Sequence, residues 1–153
     1  MIGTARLYEL TGDAPYRSLS EFFWNRVVYH HSYVIGGNSD REHFGEPDKL
    51  NDRVSPWTVE TCNTHNMLKL TRHLFAWHAE PAEADYYERA LYNQILASQD
   101  PQTGMMAYHF PLFGSWFRPY NTPRDSFWCC TGTGIESHAK YGDSIYWHDA
   151  DGL

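Results

Sequence analysis

The sequence predicts a mainly α fold of helical hairpins stacked as part of an α/α toroid, with two long loops and a short β element. Three observations predict it. Apolar residues recur at helical spacing through the first two thirds of the chain. Leu7-Tyr8, Thr11-Gly12-Asp13 and Tyr16 are echoed by Leu74-Phe75, Ala79-Glu80 and Tyr86, some 67 to 70 residues later. Hairpins of that size cannot each bury an apolar face alone, so they stack, and a stack that closes on itself is a toroid; chance likeness between two amphipathic helices would give the same echo. Finally, the segments between the helices are too long and too aromatic to be simple connections.

The elements follow in order. The chain enters a helix almost at once, in MIGTARLYEL. A second helix is predicted over about 18–31, with Leu19, Phe22, Phe23 and Val27 on one face and Glu21 and Arg26 elsewhere. The first long loop runs from Ile35-Gly36-Gly37-Asn38 to Trp57 and is rich in Gly, Pro and carboxylates. From Asn63 onward Met67, Leu70, Leu74 and Trp77 repeat at helical spacing, and after Pro81 so do Ala84, Tyr87, Leu91 and Ile95. A turn at Ala79-Glu80-Pro81 makes them an αα-hairpin. The second loop, Gly104 to Cys130, holds a short strand at Met105–Phe110 and then Pro111, Gly114, Pro119 and Pro123. The end, SIYWHDADGL, reads as the tail of an element and a turn leading onward, so residues 1–153 are expected to be an internal piece of a longer protein. On that expectation a missing targeting signal carries no information.

Composition narrows the function classes. A hydrophobic share of 42% in 153 residues supports a real core and argues against disorder. Twelve Lys and Arg against 19 Asp and Glu give a formal charge of −7, so a nucleic acid would bind against the mean field. No apolar run approaches the roughly 20 residues that cross a bilayer. Six Trp, 11 Tyr, 8 Phe and 9 His supply flat faces and polar tips that suit sugars, although aromatics fill cores as readily. Three cysteines, an odd number, exclude a closed disulfide framework.

The chemistry-bearing residues lie in the loops and at helix starts. Cys62 in Glu60-Thr61-Cys62, with Cys129 and Cys130, supplies three thiolates and one carboxylate, a donor set suited to tetrahedral zinc. The spacing is not that of a Cys-x₂₋₄-Cys knuckle. Cys129-Cys130 therefore also admits readings as two inert buried thiols or as a vicinal disulfide. Glu60 alone could simply face the positive end of a helix. Glu42, after the Gly36-Gly37 turn, is either a general acid or a solvated charge. Thr131-Gly132-Thr133-Gly134 lacks the lysine of a phosphate loop; it reads as a turn opening a helix whose amides face Cys129. The histidines are scattered without His-x₃-His spacing, so they do not point to a metal.

Taken together, Tyr33-Val34-Ile35-Gly36-Gly37 with Glu42-His43-Phe44, then Glu60-Thr61-Cys62, Tyr108 with Pro111-Leu112, Cys129-Cys130-Thr131-Gly132-Thr133-Gly134-Ile135-Glu136 and Lys140-Tyr141-Gly142-Asp143 resemble the β-L-arabinofuranosidases of glycoside hydrolase families 127 and 146. The resemblance covers nearly the whole chain, in the same order. It implies a fragment of an (α/α)6 catalytic toroid that binds Zn2+ through Glu60, Cys62, Cys129 and Cys130. It further implies Cys129 as the nucleophile of a retaining hydrolysis, Glu42 as the acid/base and Tyr108 as a sugar contact. The substrate implied is an L-arabinofuranoside of plant-derived glycans, and the compartment implied is secreted or periplasmic. Sugar-contacting histidines, further helices and β-rich domains of that family have no counterpart in this sequence, so these 153 residues alone are not expected to be active. A zinc-stabilised carbohydrate-binding or scaffold toroid, and a hydrolase of another furanose, are the competing readings.

Overall fold

The computed structural model describes residues 1–152. Its helices are α1 (Ile2–Thr11), α2 (Ala14–His30), α3 (Thr61–His78), α4 (Pro81–Ala90) and α5 (Cys129–His138). Among the described residues no helix is long and apolar enough to cross a membrane.

The sequence echo is a repeat of chain reversal. α1 ends at Gly12, left-handed at φ 75°, whose amide donates to Tyr8 O at 2.8 Å. α3 ends at Ala79, left-handed at φ 49°, whose amide donates to Phe75 O at 2.8 Å. In both pairs a proline then sits in the first turn of the next helix, Pro15 in α2 and Pro81 in α4, where its missing N–H costs nothing. Two helix pairs are thus closed by the same local device, with Ala79 taking strain that Gly12 avoids.

The buried faces differ in part from the predicted ones. α3 buries Met67, Leu70 and Leu74 as expected, and each such leucine contributes roughly 2 kcal/mol. α2 begins four residues before the expected start and buries Ser20, Trp24, Val27 and Val28, while Leu19 and Phe22 are 50% and 64% exposed. Trp24 decides that rotation: its indole N–H donates to Thr71 Oγ1 at 2.8 Å and its ring stands edge-on to Tyr86 at 5.8 Å. In α4 the buried face carries Tyr86 and Ala90, and Ala84 is exposed. α4 then continues as a π-helical turn, Leu91–Ile95, and a 3-10 turn, Leu96–Ser98, which keep Leu91, Gln94 and Ile95 inside.

The two long loops lie on this helical layer. Gly36, at φ 89°, runs so close to α4 that a Cβ there would stand 2.6 Å from Ala90 Cα, and its carbonyl accepts the Tyr86 hydroxyl at 2.9 Å. The expected strand at Met105–Phe110 is an extended segment paired through isolated bridges, Gln99 to Met106, Ala107 to Tyr120 and Glu60 to His109. A second small core of Tyr33, Val59, Ala107 and Phe110 ties both loops together. The consequence is positional: the segment before α3 and the segment before α5 are held against each other.

Candidate active site

Two helix starts meet at the site. Glu60 is the N-cap of α3 and Cys62 lies in its first turn; Cys129 and Cys130 open α5 after the N-cap Trp128. The Thr61 amide donates to Tyr108 O at 3.0 Å and the Thr61 hydroxyl to Ala107 O at 3.0 Å, which fixes the short β element across the α3 start. Further along, buried His65 of α3 and Ser137 of α5 join at 2.8 Å, and Glu136 bonds Lys69 and Lys140. The Glu136 carboxyl is held down at about 2, chiefly by Lys140. These contacts lock α3 to α5.

Glu60, Cys62, Cys129 and Cys130 come together from 70 residues of chain, their ligand atoms all within 4.8 Å of one another. Cys62 Sγ lies 3.2 Å from Cys130 Sγ, and Glu60 Oε1 lies 3.8 Å from Cys130 Sγ and 3.9 Å from Cys129 Sγ. Cys129 and Cys130 Sγ are 4.0 Å apart, so adjacency in sequence does not keep both from facing one point. All three thiols are free, which removes the vicinal disulfide reading among these residues.

The electrostatics of this group are those of an anion cluster. Burial, reinforced by Cys62 and Glu42, pushes the Glu60 carboxyl up to about 7. The hydrogen bond with Cys130 pulls the Cys62 thiol down to about 6 and pushes Cys130 far up, so the pair shares a proton. Burial, then Cys62, raises the Cys129 thiol as well, against the pull expected of a helix start. Protein groups alone thus cannot ionise all four donors. A divalent soft-to-borderline cation would, and tetrahedral zinc with S donors near 2.3 Å asks for ligand atoms about 3.8 Å apart, close to the spacings found. The donor set fits.

Glu42 and Tyr108 complete the cluster. The Tyr108 hydroxyl donates to Glu42 Oε1 and lies 3.7 Å from Cys129 Sγ. The bond to Glu42 pushes the Tyr108 phenol far above its usual range, so it stays a donor. Tyr108 is flanked by His109, stacked at 4.5 Å, and Trp128, edge-on at 5.7 Å. Of the four candidate ligands only Cys129 is exposed.

The geometry around Glu42 was not readable from the sequence. Ser39, Arg41 and Glu42 all hold positive φ, at 73°, 50° and 67°, a strained run of the kind that clusters at functional sites. It is clamped by Asp40, which accepts the Ser55 hydroxyl and faces Arg53 Nε at 3.8 Å. Arg41 lies over the Trp57 ring at 4.0 Å and its amide donates to Trp57 O. The Arg-Glu and Ser-Pro-Trp segments bore no spacing signal for that contact; only the Gly36-Gly37 turn marked the region.

Residues 1–143 match the GH127 catalytic domain family of β-L-arabinofuranosidases. The fold is like that of the GH127 β-arabinofuranosidase BT3674, with a TM-score of 0.72 and 24% identity over 89% of this chain and 21% of that one. It is also like a GH127 β-L-arabinofuranosidase from Geobacillus stearothermophilus T6, with a TM-score of 0.80 and 22% identity over 98% of this chain and 25% of that one. At such identity the likeness speaks for the fold, a mainly α part of a toroid. The chain spans about a fifth to a quarter of the length of these structures. No curated protein matches it significantly.

Proposed function

Because this chain belongs to the GH127 β-L-arabinofuranosidase catalytic-domain family, we propose that it carries the reaction centre of a retaining glycoside hydrolase acting on β-L-arabinofuranosides, with Cys129 as nucleophile and Glu42 as acid/base. The observation that carries the proposal is the juxtaposition of the exposed Cys129 thiol and the Glu42 carboxyl across the single hydroxyl of Tyr108. Retaining hydrolysis needs a nucleophile and a proton donor about 5 Å apart, usually two carboxyl groups. A thiolate stands in for one of them.

Glu60, Cys62, Cys129 and Cys130 would hold zinc, which when bound keeps the thiols deprotonated at neutral pH. Cys129 Sγ then attacks the anomeric carbon; the C–S bond forms as the bond to the leaving oxygen breaks, and Glu42 gives that oxygen its proton. In the second half Glu42, now a carboxylate, takes a proton from water, the water oxygen bonds to the anomeric carbon, and the C–S bond breaks to return the thiolate. Tyr108, donating to Glu42, fixes which oxygen of the carboxyl faces the substrate. Its ring, backed by His109 and Trp128, offers a wall for the sugar. A purely structural zinc site has no need of an exposed thiol beside a carboxyl held by a tyrosine.

The test is turnover of a synthetic β-L-arabinofuranoside by the full-length protein, followed by NMR of the first-formed sugar. Retained anomeric configuration is expected. An inverted product, or turnover of another furanoside in preference, would overturn the reaction or the substrate respectively.

A further inference from the structure

We propose that Thr133 is a positioning residue of the thiolate cluster: its hydroxyl donates to Cys62 Sγ, which makes Cys62 a fixed spectator ligand and leaves Cys129 as the sulfur free to react. The inference rests on the zinc centre proposed above and adds what separates three chemically alike thiols.

The placement follows from the chain. Thr133 lies one turn along α5 from Cys129, between Gly132 and Gly134. Gly134 faces Met106 so closely that a Cβ there would stand 2.7 Å from the Met106 Sδ. Met106 is buried, and the next residue, Ala107, accepts the hydroxyl of Thr61, the neighbour of Cys62, at 3.0 Å. The same short extended segment thus touches the starts of both helices, and the absent side chain at Gly134 lets α5 settle onto it. That closeness brings Thr133 Oγ1 of α5 to 3.3 Å from Cys62 Sγ of α3.

The direction of the bond follows from the donors present. Thr133 Oγ1 also lies 3.4 Å from Cys129 O and Cys130 O, the usual fallback for a threonine inside a helix. While Cys62 holds its proton, either atom of the pair can donate. As a metal ligand Cys62 is a thiolate and can only accept, so the hydroxyl must donate, and the charged sulfur outcompetes two neutral carbonyls. The other two sulfurs lack such a partner. Cys129 Sγ has the Tyr108 hydroxyl at 3.7 Å, but that proton goes to Glu42. Cys130 Sγ, fully buried, meets Cys62, Cys129 and Glu60 and no hydroxyl among the described residues. A hydrogen bond into a thiolate fixes its direction and draws electron density from its lone pairs. Thr133 therefore weakens Cys62 as a nucleophile while aiming it at the point shared with Glu60 and Cys130. Cys129, exposed and without a donated proton, keeps its reactive electron pair.

The experiment uses the full-length protein loaded with zinc, and with cobalt(II) in its place. Thr133→Val, which keeps the shape and removes the hydroxyl, should lower zinc affinity about tenfold in competition with a chromophoric chelator, and Thr133→Ser should restore it. In the cobalt-loaded protein the sulfur-to-metal charge-transfer band should move to longer wavelength in Thr133→Val and return in Thr133→Ser, because a thiolate relieved of a hydrogen bond gives up its electrons more easily. A fall in affinity with an unmoved band assigns Thr133 to packing alone and overturns the proposal, as does unchanged affinity, or a Thr133→Ser that behaves like Thr133→Val. Should Thr133→Val not fold, Thr133→Ala against Thr133→Ser gives the same reading, and equal affinities overturn it. Wild type that binds neither metal overturns the centre itself and this role with it, whereas normal binding untouched by Thr133→Val overturns the role alone.

Discussion

The sulfur atoms of Cys62 and Cys130 lie 3.2 Å apart although 68 positions separate them in the chain. That spacing is far beyond the roughly 2 Å of a disulfide and about 0.6 Å shorter than the edge of a thiolate tetrahedron around zinc, so the two sulfurs would part slightly on binding it. With Glu60 and Cys129 completing the set, the full-length protein should contain one zinc per chain by elemental mass spectrometry. Cys62→Ala or Cys130→Ala should release it; retention of full zinc in both variants would mean that the metal sits elsewhere.

The contact between Tyr108 and Glu42 assigns a separate role to the carboxyl. Glu42→Gln removes the proton donor, so kcat on a substrate with a poor, alkyl leaving group should fall by at least about a hundredfold. An aryl leaving group needs less protonation and should suffer less in the first step. Equal losses on both substrates would argue that Glu42 only shapes the pocket.

Gly36 holds the loop that presents Glu42. Its φ of 89° and the 2.6 Å approach of a would-be Cβ to Ala90 Cα leave no room for a side chain. Gly36→Ala should destabilise the fold by about 2–4 kcal/mol, read as a melting temperature lower by several degrees. A variant as stable as wild type would show that the loop can lift from α4 without cost.

Much of this was legible in the sequence, and the limits have physical causes. Met67, Leu70 and Leu74 announced α3 because their burial follows helical spacing alone. Leu19 and Phe22 have the same spacing yet face outward, because a polar contact, Trp24 to Thr71, fixes the rotation of α2, and no periodicity encodes a partner 47 residues away. The residue types of Glu60, Cys62, Cys129 and Cys130 were suggestive, but only folding shows that adjacent cysteines can face one point. The π-helical turn at Leu91–Ile95 and the left-handed run around Glu42 have no local signature in the chain.

Away from the site, Glu83 makes a pH-dependent contribution to stability. Burial, then Glu80 and Glu21, pushes its carboxyl up to about 7; His78 Nδ1 lies 3.5 Å from one oxygen, and the other has no partner among the described residues. The folded state therefore holds this proton more tightly than the unfolded chain, whose value is near 4.5. The favourable contribution is complete below about 4.5 and is lost as pH rises through about 7. The urea midpoint should fall from pH 5 to pH 8, and Glu83→Gln should flatten that fall; an identical slope in the variant would assign it to other groups.

The role of Cys129 is tested most directly by intact-protein and peptide mass spectrometry on the full-length protein, quenched in acid during turnover of a β-L-arabinofuranoside. One pentosyl group is expected on the peptide that holds Cys129, with turnover at least about a thousandfold slower in Cys129→Ala. Wild-type turnover in Cys129→Ala would contradict it.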